Sequence, residues 1–168
     1  GRLPELLQTA PMDLTMSILL FDRGFFSLKL MYEMIRAGLK FVVRLNNVVK
    51  IVRDFVASGR AQADVEWMPT PDTSLGSDSD WIKEGRKPLK LRFVRVHLSS
   101  GETEVLATNL TSEEVDVSAM KKLYFLRWPI EVEFLHYKHV YQIEAFSGAR
   151  PVCVMQDFRA VILCHNMA

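Results

Sequence analysis

The sequence predicts an α/β fold, and three stretches carry that reading. Ser17-Ile-Leu-Leu-Phe-Asp22 is a short apolar run closed by an acid, the form of a buried strand rather than an exposed helix. Leu28, Met31, Tyr32, Ile35 and Leu39 then recur at helical spacing, and Lys40-Phe-Val-Val-Arg44 follows as a second strand. Farther on, the alternation of Leu89 to Leu98, a Ser99-Ser-Gly-Glu102 turn and the run Thr103 to Thr108 predict a β-hairpin.

Taken in order, Leu3 to Gln8 reads as the end of a helix packed on the sheet, and Met16 to Phe21 as the first strand. Ser27 suits a helix N-cap and Gly38 the C-terminal cap. Residues 16–44 thus form a strand–helix–strand unit, expected to be parallel and right-handed. Val48 to Val56 is short and apolar and fits either a helix or a strand. Pro69 to Asp80 is rich in turn residues and is expected to be a mobile loop. Within Leu89 to Leu98 the alternation slips at Phe93-Val94, where a bulge is expected. A helical pattern resumes near Ser118, read as a cap, and the chain closes with a helix over Val152 to Met167 that has Pro151 in its first turn. No internal repeat is visible.

The most informative stretch is Tyr124-Phe-Leu-Arg127-Trp-Pro-Ile-Glu131-Val-Glu-Phe-Leu-His-Tyr-Lys138. On a helix turning about 100° per residue, Tyr124, Arg127, Glu131 and Lys138 share a sector about 60° wide. Leu123, Ile130, Phe134 and Tyr141 form a parallel apolar stripe suited to packing on a core. A carboxylate flanked by two cations and a phenol suits phosphate chemistry: the acid holds a divalent metal, and Arg and Lys hold phosphate oxygens. A charged helix face is also commonly just a solvated one. Asp22 supplies the company that favours function, because α/β sheets put ligand chemistry at the C-terminal ends of strands. Pro129 interrupts the stretch, and either kinks one helix or opens a new one. The Glu131–Lys138 relation survives either way, whereas the placement of Tyr124 depends on which occurs.

On these residues the chain resembles the catalytic region of bacterial insertion-sequence transposases of the DDE class, the branch with a Tyr-x2-Arg-x3-Glu-x6-Lys signature. Tyr124, Arg127, Glu131 and Lys138 match that signature without a gap, and Phe21-Asp22-Arg23-Gly24-Phe25 resembles the segment around the family's second Asp. The resemblance runs from about Ile18 to Asn166. It implies a partial ribonuclease-H-like fold, with its early strands missing, interrupted by a mostly β insertion. Residues 1–45 would be part of the core, 46–118 the insertion, and 119–168 the C-terminal helices that carry the Glu signature.

The resemblance further implies metal-dependent cleavage and strand transfer at transposon ends. Asp22 and Glu131 would be catalytic acids holding Mg2+ or Mn2+ in a two-metal site. Tyr124, Arg127 and Lys138 would contact DNA, and Arg23 is either a further phosphate contact or a surface residue. The partners implied are double-stranded DNA and further copies of the chain, in a bacterial cytoplasm close to the nucleoid. Nothing before Ser17 suffices for the strand that bears the first Asp, so the chain is expected to be a fragment, catalytically inert alone and with an unpaired sheet edge relieved by dimerisation. A non-catalytic DNA-binding remnant and a metal-dependent nuclease on the same fold are the rival classes.

Composition agrees with these readings without selecting among them. The chain is 49% hydrophobic and 24% charged with a net charge of +1, so any DNA contact must come from local clusters such as Lys83, Arg86, Lys87, Lys90, Arg92 and Arg95. No apolar run approaches the roughly 20 residues that span a membrane, and no signal peptide opens the chain. Cys153 and Cys164 read as buried thiols in a reducing compartment. His97, His136, His139 and His165 form no credible metal set, Glu133 lies opposite Glu131 on a helix, and Trp67 and Trp81 read as packing residues.

Overall fold

The computed structural model describes residues 14–73, 75–98, 101–139 and 145–167. Five strands, β1 (Ile18–Phe21), β2 (Lys40–Arg44), β3 (Gln62–Trp67), β4 (Leu89–His97) and β5 (Thr103–Thr108), form one sheet in the order β1-β2-β5-β4-β3. The β1–β2 pair is parallel and the other pairs are antiparallel. Six helices accompany them among the described residues: α1 (Leu28–Arg36), α2 (Lys50–Ala57), α3 (Ser79–Lys83), α4 (Val117–Phe125), α5 (Trp128–His139) and α6 (Pro151–Met167). The expected α/β class is therefore observed. Leu3 to Gln8 and the Ser99-Ser100 hairpin tip lie outside the described residues.

The strand–helix–strand unit forms for local reasons. The Ser27 hydroxyl accepts from the Leu30 amide at 3.4 Å and caps α1. At the other end Gly38 takes a φ of +70°, which lets the Leu39 amide reach back to the Met34 carbonyl at 2.9 Å. The chain then turns into β2, whose register pairs Leu20 with Val42 and Phe21 with Val43.

Apolar side chains cover both faces of the sheet. One core gathers Met31 and Met34 of α1, Val52 and Phe55 of α2, and Trp81 of α3 against Phe41, Val43, Phe93 and Ala107. The second packs Met120 and Tyr124 of α4 on Val42, Val94, Val96 and Leu106. Helices on both faces explain the apolar pair Phe93-Val94. Phe93 enters the first core and Val94 the second, while β4 keeps continuous register from Arg92↔Thr108 to His97↔Thr103. The expected bulge is absent: two consecutive apolar residues here mean burial on two sides, not a phase slip.

Other expectations need correction. The described residues of Pro69 to Asp80 are folded in rather than a free loop. Leu75 is fully buried in the first core, Thr73 donates its hydroxyl to the Thr70 carbonyl at 2.7 Å, and Asp78 pairs with Lys29 at 2.9 Å. The Asp78 carboxylate also accepts the Asp80 and Trp81 amides and caps α3. The cap of α4 is Asp116, which accepts from the Ala119 amide at 2.7 Å, and not Ser118. The Val48–Val56 ambiguity resolves as helix α2.

Strand β3 was not anticipated, although its alternation Gln-Ala-Asp-Val-Glu-Trp is the period-2 signal of an edge strand. Its polar side chains, Gln62, Asp64 and Glu66, alternate with Ala63, Val65 and Trp67, which pack against the first core.

Contacts divide the chain into two units, Gly1–Tyr124 and Phe125–Ala168. Both hydrophobic cores belong to the first. In the second, the Asp157 carboxylate of α6 accepts the Ser147 amide at 2.7 Å, and that bond holds the carboxyl below its ordinary range. Cys153 is half-buried and Cys164 exposed, so the expectation of two buried thiols does not hold for Cys164.

Candidate functional site

Asp22 stands where β1 ends and a 3₁₀ turn (Arg23–Phe25) begins, its carbonyl accepting from the Phe25 amide at 2.9 Å. Arg44 ends β2, the parallel neighbour, so the two side chains leave adjacent strand ends. The Arg44 guanidinium lies 2.8 Å from Asp22 Oδ1 and donates through its other terminal nitrogen to Glu104 Oε1 of β5. Side chains two apart on a strand share a face. Leu20 and Asp22, Val42 and Arg44, and Glu104 and Leu106 therefore project from the sheet face that carries α4.

The result is an acid–cation–acid row, one guanidinium between two carboxylates, across the ends of three strands. Arg44 and Glu104 are well shielded, with side chains 18% and 14% exposed, whereas Asp22 is 35% exposed. Beside the row opens a cavity of about 310 Å3 lined in part by Arg23, Arg44, Asn46, Asn47, Thr103 and Glu104. The Asn46 carboxamide accepts from the Val48 amide at 3.1 Å, which fixes the turn that follows β2. Neither Arg44 nor Glu104 was singled out from the sequence. Arg44 carried a signal, because it ends its strand as Asp22 ends the preceding one. Glu104 carried none, since its partner lies 60 residues away.

The Tyr-Arg-Glu-Lys stretch is broken rather than continuous. Helix α4 stops at Phe125, Leu126 and Arg127 form a turn, and α5 starts at Trp128 with Pro129 in its first turn. Proline lacks an amide hydrogen and its ring collides with the carbonyl four residues earlier, so Pro129 cannot continue α4 but fits the start of α5. The single sector predicted for all four residues therefore fails. Glu131 and Lys138 remain on one helix, seven residues and about 20° apart.

Tyr124 belongs to the first unit, with its side chain 7% exposed in the second core. Arg127 is half-buried and Lys138 exposed, both in the second unit. The Glu131 side chain lies outside the described residues, as do those of Glu133, His136, Ile130 and Phe134. Tyr141 lies wholly outside them.

Two of the suspected basic contacts are structural. Arg92, 5% exposed, donates to the Gln62 carboxamide and to the carbonyls of Thr111 and Val115, the latter two at 3.0 and 2.6 Å. Arg95 donates to the Phe55 and Val56 carbonyls and lies over the Phe55 ring. Lys83, Arg86, Lys87 and Lys90 stay exposed. Trp67 stacks on Phe26, and Trp81 donates its indole N–H to the Lys87 carbonyl at 2.8 Å. Among the described residues, no group of three or more His, Cys, Asp or Glu is arranged to hold a metal ion. Among them, too, no helix is long and apolar enough to cross a membrane.

The family model described as Transposase DDE domain matches residues 2–167. No curated protein and no solved structure matches the chain.

Proposed function

Because this chain belongs to the transposase DDE-domain family, we propose that Asp22 and Glu131 are acids of its catalytic centre and that it acts on phosphodiesters at transposon ends. The family match accounts for transposition and recombination of DNA. The acid at the C-terminal end of β1, on a face shared with Arg44 and Glu104, is the observation that carries the site assignment. Strand cleavage requires an attacking water or 3′-hydroxyl, relief of the charge that builds on phosphorus, and help for the departing oxygen. Arg127, Lys138 and Arg23 grip the flanking phosphates. Tyr124 is the phenol proposed for the contact with the DNA backbone, although its ring anchors α4 and its hydroxyl is buried.

In this reading the core is ribonuclease-H-like, with 46–118 as a β insertion whose strands extend its sheet. The protein works as a homo-oligomer on double-stranded DNA near the nucleoid. Mg2+ or Mn2+ would supply Lewis acidity if held by carboxylates such as Asp22 and Glu131. The described residues do not by themselves fit such a centre: no three acids, His or Cys are grouped, and the Asp22 carboxylate faces a guanidinium.

The test is nicking of supercoiled plasmid by the protein in the presence of Mg2+ or Mn2+. Cleavage abolished by Asp22→Ala and by Glu131→Ala, with duplex binding kept, is the expected result. Cleavage undiminished by either substitution would remove that acid from the centre.

A further inference from the structure

The segment Lys83-Glu-Gly-Arg86-Lys87-Pro-Leu-Lys90, which leads from α3 into β4, carries four cations and one acid. That acid is spent inside the fold: Glu84 accepts the Tyr32 hydroxyl at 2.8 Å and the Arg36 guanidinium at 3.1 Å. Lys83 and Lys90 stand 3.8 and 3.9 Å from Asp80 and Glu66. Exposed pairs at that separation contribute little. Arg86 and Lys87 are exposed and pair with no acid among the described residues. The charge of this loop is therefore directed outward and is barely neutralised by its own surroundings.

The backbone of the loop is held in one shape. Gly85 and Arg86 both take positive φ, +84° and +53°, a conformation that arginine seldom adopts. Their amides reach back to the Ile82 and Trp81 carbonyls at 3.1 and 3.0 Å, and the Trp81 indole donates to the Lys87 carbonyl at 2.8 Å. The sheet register fixes where the loop lies. Arg44 and Val94 both pair with Leu106, so Val94 stands level with the strand ends that carry Asp22 and Arg44. Strand β4 begins five residues earlier, at Leu89, so the loop joins the sheet about 17 Å toward its opposite end.

We propose that residues 83–90 are a second contact for double-stranded DNA, independent of base sequence and separate from the end of the sheet where Asp22 lies. The inference rests on the reading of this chain as one that acts on DNA. Cations without acid partners neutralise phosphates without first giving up an ion pair, and they release the counterions condensed on the duplex. A loop already fixed by its own hydrogen bonds loses little conformational freedom on binding. Lysine and arginine on phosphates carry no base readout, so the loop grips duplex that flanks the phosphodiester to be cut without selecting its sequence. The net charge of +1 conceals this surface, because the field that attracts a duplex is local.

The experiment is binding of a labelled duplex of arbitrary sequence to the intact chain, followed by fluorescence anisotropy over a series of salt concentrations. Arg86→Gln/Lys87→Gln removes both unpaired charges and is expected to lower the slope of log affinity against log salt by about two units. Arg86→Lys/Lys87→Arg keeps both charges and is expected to keep the wild-type slope. An unchanged slope in the neutral variant, while wild type binds the duplex, would overturn the proposal and leave the DNA reading standing. Absence of duplex binding by wild type would overturn both. A loss confined to an RNA duplex would assign the loop to RNA and overturn the proposal as well. Circular dichroism establishes that each variant is folded. If Arg86→Gln/Lys87→Gln is not, Arg86→Gly/Lys87→Gln takes its place with the same expected slope, since glycine accepts the φ of +53°.

Discussion

At Gly76 there is no room for a methyl group. A Cβ built on its backbone would stand 2.0 Å from the Thr70 carbonyl oxygen and 2.9 Å from the Pro71 Cα, both backbone atoms that cannot swing aside. The Gly76 amide is also held by the Thr73 carbonyl at 2.9 Å, and this turn is what carries Leu75 into the core. Gly76→Ala should therefore cost about 1–3 kcal/mol or more, seen as a fall of roughly 3–10 °C in the thermal midpoint. An unchanged midpoint would mean that the loop rearranges freely. The count of Gly, Pro, Ser and Asp in this stretch pointed to turns and was right about them. Mobility does not follow from turn composition, because one buried leucine is enough to tether the loop.

At the scale of elements, the short helix α3 is fastened to α1 by polar contacts around Tyr32. The Tyr32 hydroxyl donates to Glu84 at 2.8 Å, and Arg36 bonds Asp80 and Glu84 at 3.0 and 3.1 Å. Burial, then the hydrogen bond to Glu84, pushes the Tyr32 phenol from 10.0 up to about 12. A folded-state value above the unfolded one means that this contribution is complete below about pH 10 and lost as pH rises towards 12. Tyr32→Phe should be less stable than wild type by about 0.5–1.5 kcal/mol at neutral pH. That difference, measured by urea unfolding, should shrink between pH 10 and 12. A constant difference across that range would dissociate the phenol from the docking of α3.

Elements were legible where their pattern is local. Strand β1, helix α1 with Ser27 and Gly38 at its ends, and the β4–β5 hairpin follow from periodicity and capping chemistry. The phase at Phe93-Val94 was misread because one-sided alternation was assumed for a strand that helices cover on both faces. The junction at Pro129 could be narrowed to a kink or a break, and local chemistry alone does not choose between them.

For the molecule as a whole, the division after Tyr124 has a measurable consequence. Among the described residues, every member of the two cores lies at or before Tyr124. A chain truncated after Arg127 should therefore still unfold cooperatively, with a thermal midpoint within about 5 °C of the intact chain, a change worth no more than a few kcal/mol. Loss of cooperative unfolding would show that residues 128–168 complete a core. The signature straddles this division, with Tyr124 on one side and Arg127, Glu131 and Lys138 on the other. Four residues that read as one motif along the chain thus belong to two units.

The sequence by itself determined the α/β class, the elements whose residues repeat at helical or strand period, and membership in a transposase family, which the family model matches over residues 2–167. Each of these depends on residues near one another in the chain or on residue types at fixed intervals. Only the tertiary structure decided which charges meet. Arg44 reaches Asp22 because β1 and β2 pair in parallel, and it reaches Glu104 because β5 pairs with β2 in antiparallel register. Arg92 and Arg95 leave the pool of DNA contacts because neighbouring backbone carbonyls claim them. Strand order and register arise from burying apolar surface over the whole sheet, and no local window of sequence contains that sum.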